Sequence, residues 1–307
     1  MSAGTEAKRQ PAEPPAERAR PAGRSHAIPG FKPRAEDALA HMLARISTGR
    51  LMLFAVLVTA GVYAALVVAF PITRWWNHPH VANDPNAVND MGRITHYSPL
   101  AAIAFVAAIL LLCWCQFLAI SAASRATAGR WRWLGMVAPA AFAGALVWMQ
   151  PVTTTDLYGY VARGYLMVRL HLNPMTNQAF LLPGNLLVNR PPAPYGPAWL
   201  LLCGLFSSVA GDNLLLNMLL FKLTSLVCLA LSSWLLYRLA RRMEIGVPVS
   251  VVMFFTWNPL VLFEAIGNGH NDIAMMTCVL AALLLTSYRH PRSALSFLVF
   301  GALIKYT

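Results

Sequence analysis

The sequence has 307 residues, of which 57% are hydrophobic and only 12% are charged, and its mean hydropathy is +0.53. Because soluble globular proteins carry about 25% charged residues, this composition excludes an ordinary soluble protein and indicates an integral membrane protein. The net charge of +12 does not indicate a nucleic-acid-binding protein, since many basic residues lie in the N-terminal tail and in short loops between apolar runs.

The chain begins with a polar tail. Residues 1–35 contain six prolines, mixed Lys, Arg and Glu, and almost no large apolar side chains. Such a segment cannot bury enough surface to offset the entropy lost on ordering, so it is predicted to be a disordered cytoplasmic tail. In residues 36–50, the apolar side chains from Leu39 to Ile46 recur at the spacing of one helical face. This pattern predicts a short amphipathic helix on the inner membrane leaflet.

Apolar runs recur through residues 51–307, which are predicted to form a transmembrane domain. Several runs reach or approach the roughly 20 residues that a helix needs to cross the bilayer core. The predicted membrane helices are residues 51–70, 100–120, 133–149, 214–237, 247–263, 273–285 and 294–304. The last run is cut off by the end of the sequence, and we therefore expect the chain to be a fragment of a longer protein.

Arginine clusters in three short loops predict the orientation, because positive charges favour the cytoplasmic side. The alternation of sides is consistent only if the short run 197–210 does not cross the membrane, so it is predicted to be an interfacial or re-entrant helix. The predicted fold is an all-α, polytopic transmembrane helical bundle. Its N-terminus is cytoplasmic, and a large outer loop, residues 150–213, carries interfacial helices.

The outer loop opens with PVTTTDLYGYVARGYLMVRLHLNPM, which contains the first candidate residues. A threonine before Asp156 can cap a helix whose first turn holds this carboxylate, and the spacing places Asp156, Tyr160 and Arg163 along one face. A carboxylate that only stabilises its own helix fits these local features equally well. A functional role for this carboxylate is favoured because Asp156 is the only acidic residue between Asp90 and Asp212.

Four further candidates lie in restrained or apolar surroundings. Arg190 and Tyr195 are held among prolines, on a loop that either presents them to a substrate or serves as a rigid connector. Lys222 and Lys305 lie inside apolar runs, where a lysine at a helix centre costs about 2.5–3.5 kcal/mol. Both lysines are therefore candidates for a functional role. The alternative is that each lies near a helix end and extends its side chain to water.

The stretch NPLVLFEAIGNGHND places Glu264, His270, Asn271 and Asp272 between hydrophobic runs. It has three interpretations: a metal or phosphate loop, a polar turn between two helices, or one wall of an active site. The stretch lacks the GxxxxGK[ST] pattern of a phosphate loop, and His270 and Asp272 alone do not make a metal site. A polar turn explains the glycines but not Glu264, which lies in the apolar run before the turn.

Several motifs in order resemble a known layout. TTTDLYGYVARGYL, LNPM, PPAPYGPAWLLL, a helix with an internal Lys that ends in YRLARR, WNPLVLFEAIGNGHND and GALIKYT together resemble the polytopic GT-C glycosyltransferases. They most resemble the bacterial polyprenyl-phosphate-mannose-dependent α-mannosyltransferases, over about residues 133–307. The resemblance implies a bacterial inner-membrane enzyme that transfers a sugar, mannose, from a polyprenyl-phosphate donor to a glycan or glycolipid acceptor on the outer face. The transfer is expected to invert the configuration at the anomeric carbon. It also implies that Asp156 is the general base.

Inverting transfer needs one base for the acceptor proton and cations for the leaving phosphate, whereas a glycosidase uses paired carboxylates. A single carboxylate, Asp156, among several basic residues fits inverting transfer rather than a glycosidase. In this interpretation Tyr160 and Tyr195 offer surfaces to a sugar ring, and His270 and Asn271 bind the donor phosphate or sugar hydroxyls. No cofactor is predicted, and a divalent cation is left open. The predicted substrate-binding residues are Tyr160, Arg163, Arg169, Arg190, Tyr195, Lys222, Glu264, His270, Asn271, Asp272 and Lys305.

Two other classes of protein stay open. A transporter or channel would use Lys222, Glu264, His270 and Lys305 as a polar pathway. It gives no role to the proline-restrained outer loop, and no inverted repeat is visible in the sequence. A noncatalytic scaffold, or a truncated and inactive relative, is the third interpretation.

Overall fold

The computed structural model describes residues 47–73, 98–125, 129–184 and 186–306. The predicted tail, residues 1–35, and most of the predicted amphipathic helix lie outside these ranges. The described residues are predominantly helical, which confirms the all-α fold class.

Two short strands accompany the helices. The elements are α1 Thr48–Ala69, α2 Pro99–Arg125, α3 Gly129–Leu146, α4 Asp156–Arg169, β1 Ala179–Leu182, β2 Leu186–Arg190, α5 Pro197–Ala210, α6 Leu214–Arg242, α7 Pro248–Thr256, α8 Pro259–Leu262, a π-helix Phe263–Gly267, α9 Asp272–Ser287 and α10 Pro291–Ile304. Among the described residues, α1, α2 and α6 are long and apolar enough to cross a membrane, and a bent pair formed by α7 and the following segment is a fourth candidate.

The prediction of one continuous helix over residues 247–263 is wrong. α7 ends at Thr256, and the Asn258 side chain then caps a new helix by accepting a hydrogen bond from the Leu260 amide at 2.9 Å. The two segments, Pro248–Thr256 and Pro259–Gly267, meet at an angle of 53°. Proline cannot donate a backbone hydrogen bond and fits the first turn of a helix, so Pro259 favours a restart at this point.

The predicted outer loop is more ordered than the sequence indicated. α5 has the predicted bounds, and α4 packs closely on it, because a Cβ atom on Gly164 would lie only 2.2 Å from the Cys203 carbonyl oxygen. Strands β1 and β2 form an antiparallel hairpin with Ala179 paired to Arg190. Sequence analysis did not predict this hairpin, since its strands are short and show no clear alternation. The hairpin and the following prolines bring Arg190 and Tyr195 back to the start of α4.

An aromatic core lies beneath α4. The Tyr160 ring is fully buried, with ring centroids 4.9 Å from Tyr195, 5.1 Å from Trp199 and 5.5 Å from Phe221. Edge-to-face contacts of this kind add to the free energy gained by burying apolar area. The core therefore fixes α4 against α5 and α6, and with it the position of Asp156.

Lys222 joins the helices next to the segment that was predicted to be the outer loop. Its side chain is fully buried in α6, and no carboxylate contacts its Nζ atom within the described residues. The ammonium group instead donates to backbone carbonyl oxygens at the end of α3 and at the end of the π-helix. These acceptors belong to Leu146, Met149, Ile266 and Gly267. Lys222 thus connects the segment that leads to Asp156 with the segment that leads to His270.

Replacing Lys222 with Met is expected to lower the free energy of unfolding by about 2 kcal/mol, because buried carbonyl groups lose their donor. The measurement is denaturation of the purified protein in detergent, monitored by tryptophan fluorescence. Leu223→Met is the matched control, since Leu223 is the next residue in α6 and is 47% exposed. Equal stability of the two variants would show that the ammonium group does not hold these segments together.

Candidate active site

Asp156 and His270 meet at the end of the bundle. Asp156 is the first residue of α4, and its Oδ2 atom lies 3.3 Å from Nδ1 of His270. His270 follows the π-helix, in a turn where Gly269 has a φ of +74° and where an added Cβ would press against Leu157 at 3.2 Å. Glycine is therefore favoured at position 269 for both its backbone conformation and its size. The turn brings the imidazole to the first turn of α4.

Glu264 and Asn268 form the wall beside this pair. Glu264 Oε2 lies 3.2 Å from Nε2 of His270 and accepts a hydrogen bond from Asn268 Nδ2 at 2.8 Å. Asn268 is fully buried, and its Oδ1 atom accepts the Val152 amide at 3.0 Å. Its amide group also donates to Thr153 Oγ1. Sequence analysis did not assign a site role to Asn268 or Thr153, because their partners are more than one hundred residues apart in the chain.

Arg190, Arg163 and Tyr195 surround the start of α4 on another side. Arg190 is half-buried at the end of β2 and donates to the Thr155 carbonyl oxygen at 3.1 Å. Arg163 is buried, donates to the Pro191 carbonyl oxygen at 3.1 Å, and places its guanidinium 5.2 Å from the centre of the Tyr195 ring. The predicted stiff loop therefore does bring Arg190 and Tyr195 to the Asp156 region.

Lys305 closes the cluster from the end of α10. Its Nζ atom lies 2.8 Å from Asp272 Oδ1, and its backbone pairs with that of Tyr195. The neighbouring Gly196 donates its amide to the Ile304 carbonyl oxygen at 3.0 Å. The proline-rich loop is thus held against α10, and Asp272 has a cationic partner.

Four other predicted substrate-binding residues have side chains that contact other parts of the protein, and their role in binding stays a prediction. Lys222 is enclosed by carbonyl groups, and Tyr160 is covered on its ring by other aromatic residues. Arg169 lies at the far end of α4 and forms an ion pair of 3.1 Å with Asp212. Asn271 is buried and exchanges hydrogen bonds with the Tyr160 hydroxyl at 3.2 and 3.3 Å.

The two carboxylates stabilise the protonated form of His270. Burial lowers the pKa of His270, but contacts with Asp156 and Glu264 outweigh it and raise the pKa from 6.5 to about 9. Burial raises the pKa of Asp156, but the contacts with His270, Tyr195 and Arg190 outweigh it, so the net pKa is lowered. At neutral pH the site therefore holds an ionised Asp156 against an imidazolium.

An apolar groove opens beside the cluster and has a volume of about 540 Å³. Glu264, His270 and Asp272 border the groove, but its surface is almost entirely apolar and includes Leu260 and Met276. The groove follows α9 as far as Leu280, which corresponds to about 12 Å along the helix axis. An apolar groove bordered by charged residues suits a molecule with a lipid tail and a charged head.

Among the residues that the structure describes, no three His, Cys, Asp or Glu side chains are arranged to hold a metal ion. That the sugar is transferred without a cofactor stays a prediction, and the use of a divalent cation is still left open.

These features define a polytopic membrane protein with a charged site at the mouth of an apolar groove. A family model described as "Alpha-(1->6)-mannopyranosyltransferase, N-terminal domain" matches residues 55–307, and the chain belongs to this family. The match confirms the resemblance to GT-C mannosyltransferases and extends further toward the N-terminus than the motifs did.

Individual relatives are similar over part of the chain. Alpha-(1->6)-mannopyranosyltransferase A of Corynebacterium glutamicum is 27% identical over 168 residues, which is 53% of this chain and 34% of that protein. Alpha-(1->6)-mannopyranosyltransferase A of Mycobacterium tuberculosis is 33% identical over 142 residues, covering 44% of this chain and 27% of that protein. The chain thus spans about a third or less of these relatives in the aligned regions. No solved structure matches it.

The raised pKa of His270 predicts a pH-dependent stability. A group whose pKa is raised by folding contributes stability that is fully present below its usual pKa of 6.5 and is lost as the pH rises through about 9. We expect the thermal unfolding midpoint of the wild type to fall over this range, and that of His270→Gln to fall less. Subtracting the two profiles removes the contribution of other titrating groups. Parallel profiles would contradict the protonation state assigned to His270.

Proposed function

We propose that the chain takes part in moving mannose from a polyprenyl-phosphate donor to a hydroxyl group of a glycan or glycolipid acceptor, on the outer face of the membrane and with inversion. The observation that carries the proposal is Asp156, an ionised and accessible carboxylate that contacts His270 at the mouth of an apolar groove. The named relatives are alpha-(1->6)-mannopyranosyltransferases, which supports mannose as the sugar.

Asp156 is the proposed general base. Its side chain is 35% exposed at the start of α4, so an acceptor hydroxyl can reach it from the outer side. As the acceptor oxygen bonds to the anomeric carbon, its proton passes to an Asp156 oxygen. The bond from that carbon to the phosphate oxygen breaks, and the electron pair leaves with the polyprenyl phosphate. Because attack and departure occur on opposite faces of the sugar, one base is sufficient.

Two cations flank the proposed base and are the candidates to meet the leaving phosphate. His270 lies on the groove side of Asp156, and Arg190 lies on the side of the β-hairpin. Lys305 is less suited, since Asp272 already neutralises its charge. Positioned cations stabilise the negative charge that develops on the phosphate in the transition state. His270 is the stronger candidate, because it lines the groove itself.

The groove is the proposed site of the polyprenyl tail. Its walls are apolar, it follows α9, and its charged end lies next to the base. A tail bound there would hold the phosphate near His270 and the sugar near Asp156. The transporter interpretation is weaker, because carbonyl groups enclose Lys222 and Asp272 binds Lys305 within the described residues.

Asp156→Asn is expected to reduce mannose transfer by at least about 100-fold, since the amide cannot accept the acceptor proton. The assay is transfer from polyprenyl-phosphate-mannose in membranes that contain the variant at the wild-type level. Asp212→Asn is the matched control, because Asp212 is an exposed acid that pairs with Arg169 away from the cluster. Transfer that persists in Asp156→Asn would remove Asp156 from the role of base.

Met276→Trp is expected to narrow the groove and to raise KM for polyprenyl-phosphate-mannose about fivefold, with little change in kcat, as a loss of about 1 kcal/mol of binding requires. Met276 lines the groove and is 43% exposed. Leu283→Trp adds the same side chain at a residue of α9 that is 50% exposed but does not line the groove. An equal KM for the two variants would place the tail elsewhere.

A further inference from the structure

Glu264 is a carboxylate in an apolar segment, and the proposed reaction does not use it directly. Its neighbours Phe263, Ala265 and Ile266 are buried, and the helix around it has the wider π geometry. An acidic side chain in such a segment is costly and suggests a function, and π-helical turns are frequent at functional sites. The question is which group the Glu264 carboxylate serves.

The His270 ring lies between two carboxylates. Its Nε2 atom is 3.2 Å from Glu264 and its Nδ1 atom is 3.3 Å from Asp156. A neutral imidazole has one protonated nitrogen and one lone pair, so one of these two contacts would place a lone pair against a carboxylate oxygen. Only the imidazolium presents an N–H group to both. Nδ1 makes no hydrogen bond within the described residues, so its contact with Asp156 is electrostatic. Two carboxylates within 3.3 Å of the ring therefore favour a cation between Glu264 and Asp156.

Glu264 is itself fixed by neutral donors. Asn268 donates to its Oε2 atom at 2.8 Å, and Thr153 donates to its Oε1 atom at 3.4 Å. Asn268 also binds the backbone just before α4, so the carboxylate is held at a constant position relative to Asp156. Its remaining strong contact is with His270.

We propose that Glu264 is a positioning residue that fixes the His270 ring and holds it in the protonated form against Asp156. This inference rests on the proposed function, in which Asp156 is the base and His270 meets the leaving phosphate. Glu264 acts through His270 and does not touch the reacting atoms. Its effect is to keep a cation at the mouth of the groove at a pH where a free histidine is mostly neutral.

Other charged groups face His270 but do not replace Glu264. Asp272 Oδ2 lies 3.7 Å from Nδ1, yet its carboxylate is paired with Lys305 at 2.8 Å. Arg190 lies beyond Asp156 and lowers the pKa of that carboxyl group, as does the hydrogen bond from Tyr195. Removing the charge of Glu264 therefore leaves Asp156 as the main anionic partner of the ring.

The test is Glu264→Gln, which keeps the size of the side chain and an oxygen that accepts hydrogen bonds. The 307-residue chain with labelled histidines is titrated by NMR in detergent, and the His270 signal is assigned from its absence in His270→Gln. We expect the midpoint for His270 to fall from about 9 by about one pH unit or more. The alkaline limb of mannose transfer from polyprenyl-phosphate-mannose is expected to move down by a similar amount.

Glu244→Gln is the matched control, because it makes the same chemical change at an exposed residue after α6 and should move neither midpoint. An unchanged His270 midpoint in Glu264→Gln overturns the proposal, and so does a lowered midpoint with an unmoved alkaline limb. If Glu264→Gln does not fold, Glu264→Asp is used instead, because it keeps the negative charge. The titration midpoint of His270 in Glu264→Asp should stay above 6.5, the usual histidine value. A midpoint at or below 6.5 overturns the proposal. Absence of transfer by the wild type would count against the proposed function, whereas the NMR titration would still decide the role of Glu264.

Discussion

A buried ammonium group connects the two segments that build the site. Lys222 is fully enclosed and donates to carbonyl oxygens at the end of α3 and at the end of the π-helix. A buried charge without partners is strongly unfavourable, and so is a buried carbonyl group without a donor. The two segments and the lysine therefore require one another. The chain leads from the first segment to Asp156 and from the second to His270, so this one interaction sets where both side chains begin.

Polar contacts continue outward from Lys222 in successive layers. Asn268 binds the backbone before α4, and Asn271 binds the Tyr160 hydroxyl from the other side of the turn. His270 lies between these two asparagines in the chain and is directed at Asp156. Asp156 and His270 contact each other at the outer end of these contacts, and Arg190 donates to the Thr155 carbonyl oxygen beside them. If Asp156 is the base, as proposed, a carboxylate that is held in this way needs little rearrangement when the substrate binds.

The same arrangement places a cation among the carboxylates of the site, as the proposed phosphate donor requires. Asp156, Glu264 and Asp272 are close together, but His270 lies between the first two and Lys305 pairs with the third. The imidazolium neutralises part of this charge at the end of the apolar groove. In the proposed reaction, the lipid phosphate would meet His270, which lines the groove, before Asp156, which does not.

The sequence by itself determined the membrane class, the bounds of α5 and most of the candidate residues, because hydrophobic run length and the cost of charges in apolar segments are local properties. The sequence motifs also marked Asp156 and His270 for one site. Only the tertiary structure decided that Lys222 and Tyr160 stabilise the fold, that Arg169 lies at the far end of α4, and that Glu264 faces His270. These outcomes depend on the break at Pro259, the π-helix and the hairpin, whose partners are distant in the chain. Residue type and spacing do not reveal which distant carbonyl or carboxylate a polar side chain will meet, since that is set by how the helices pack.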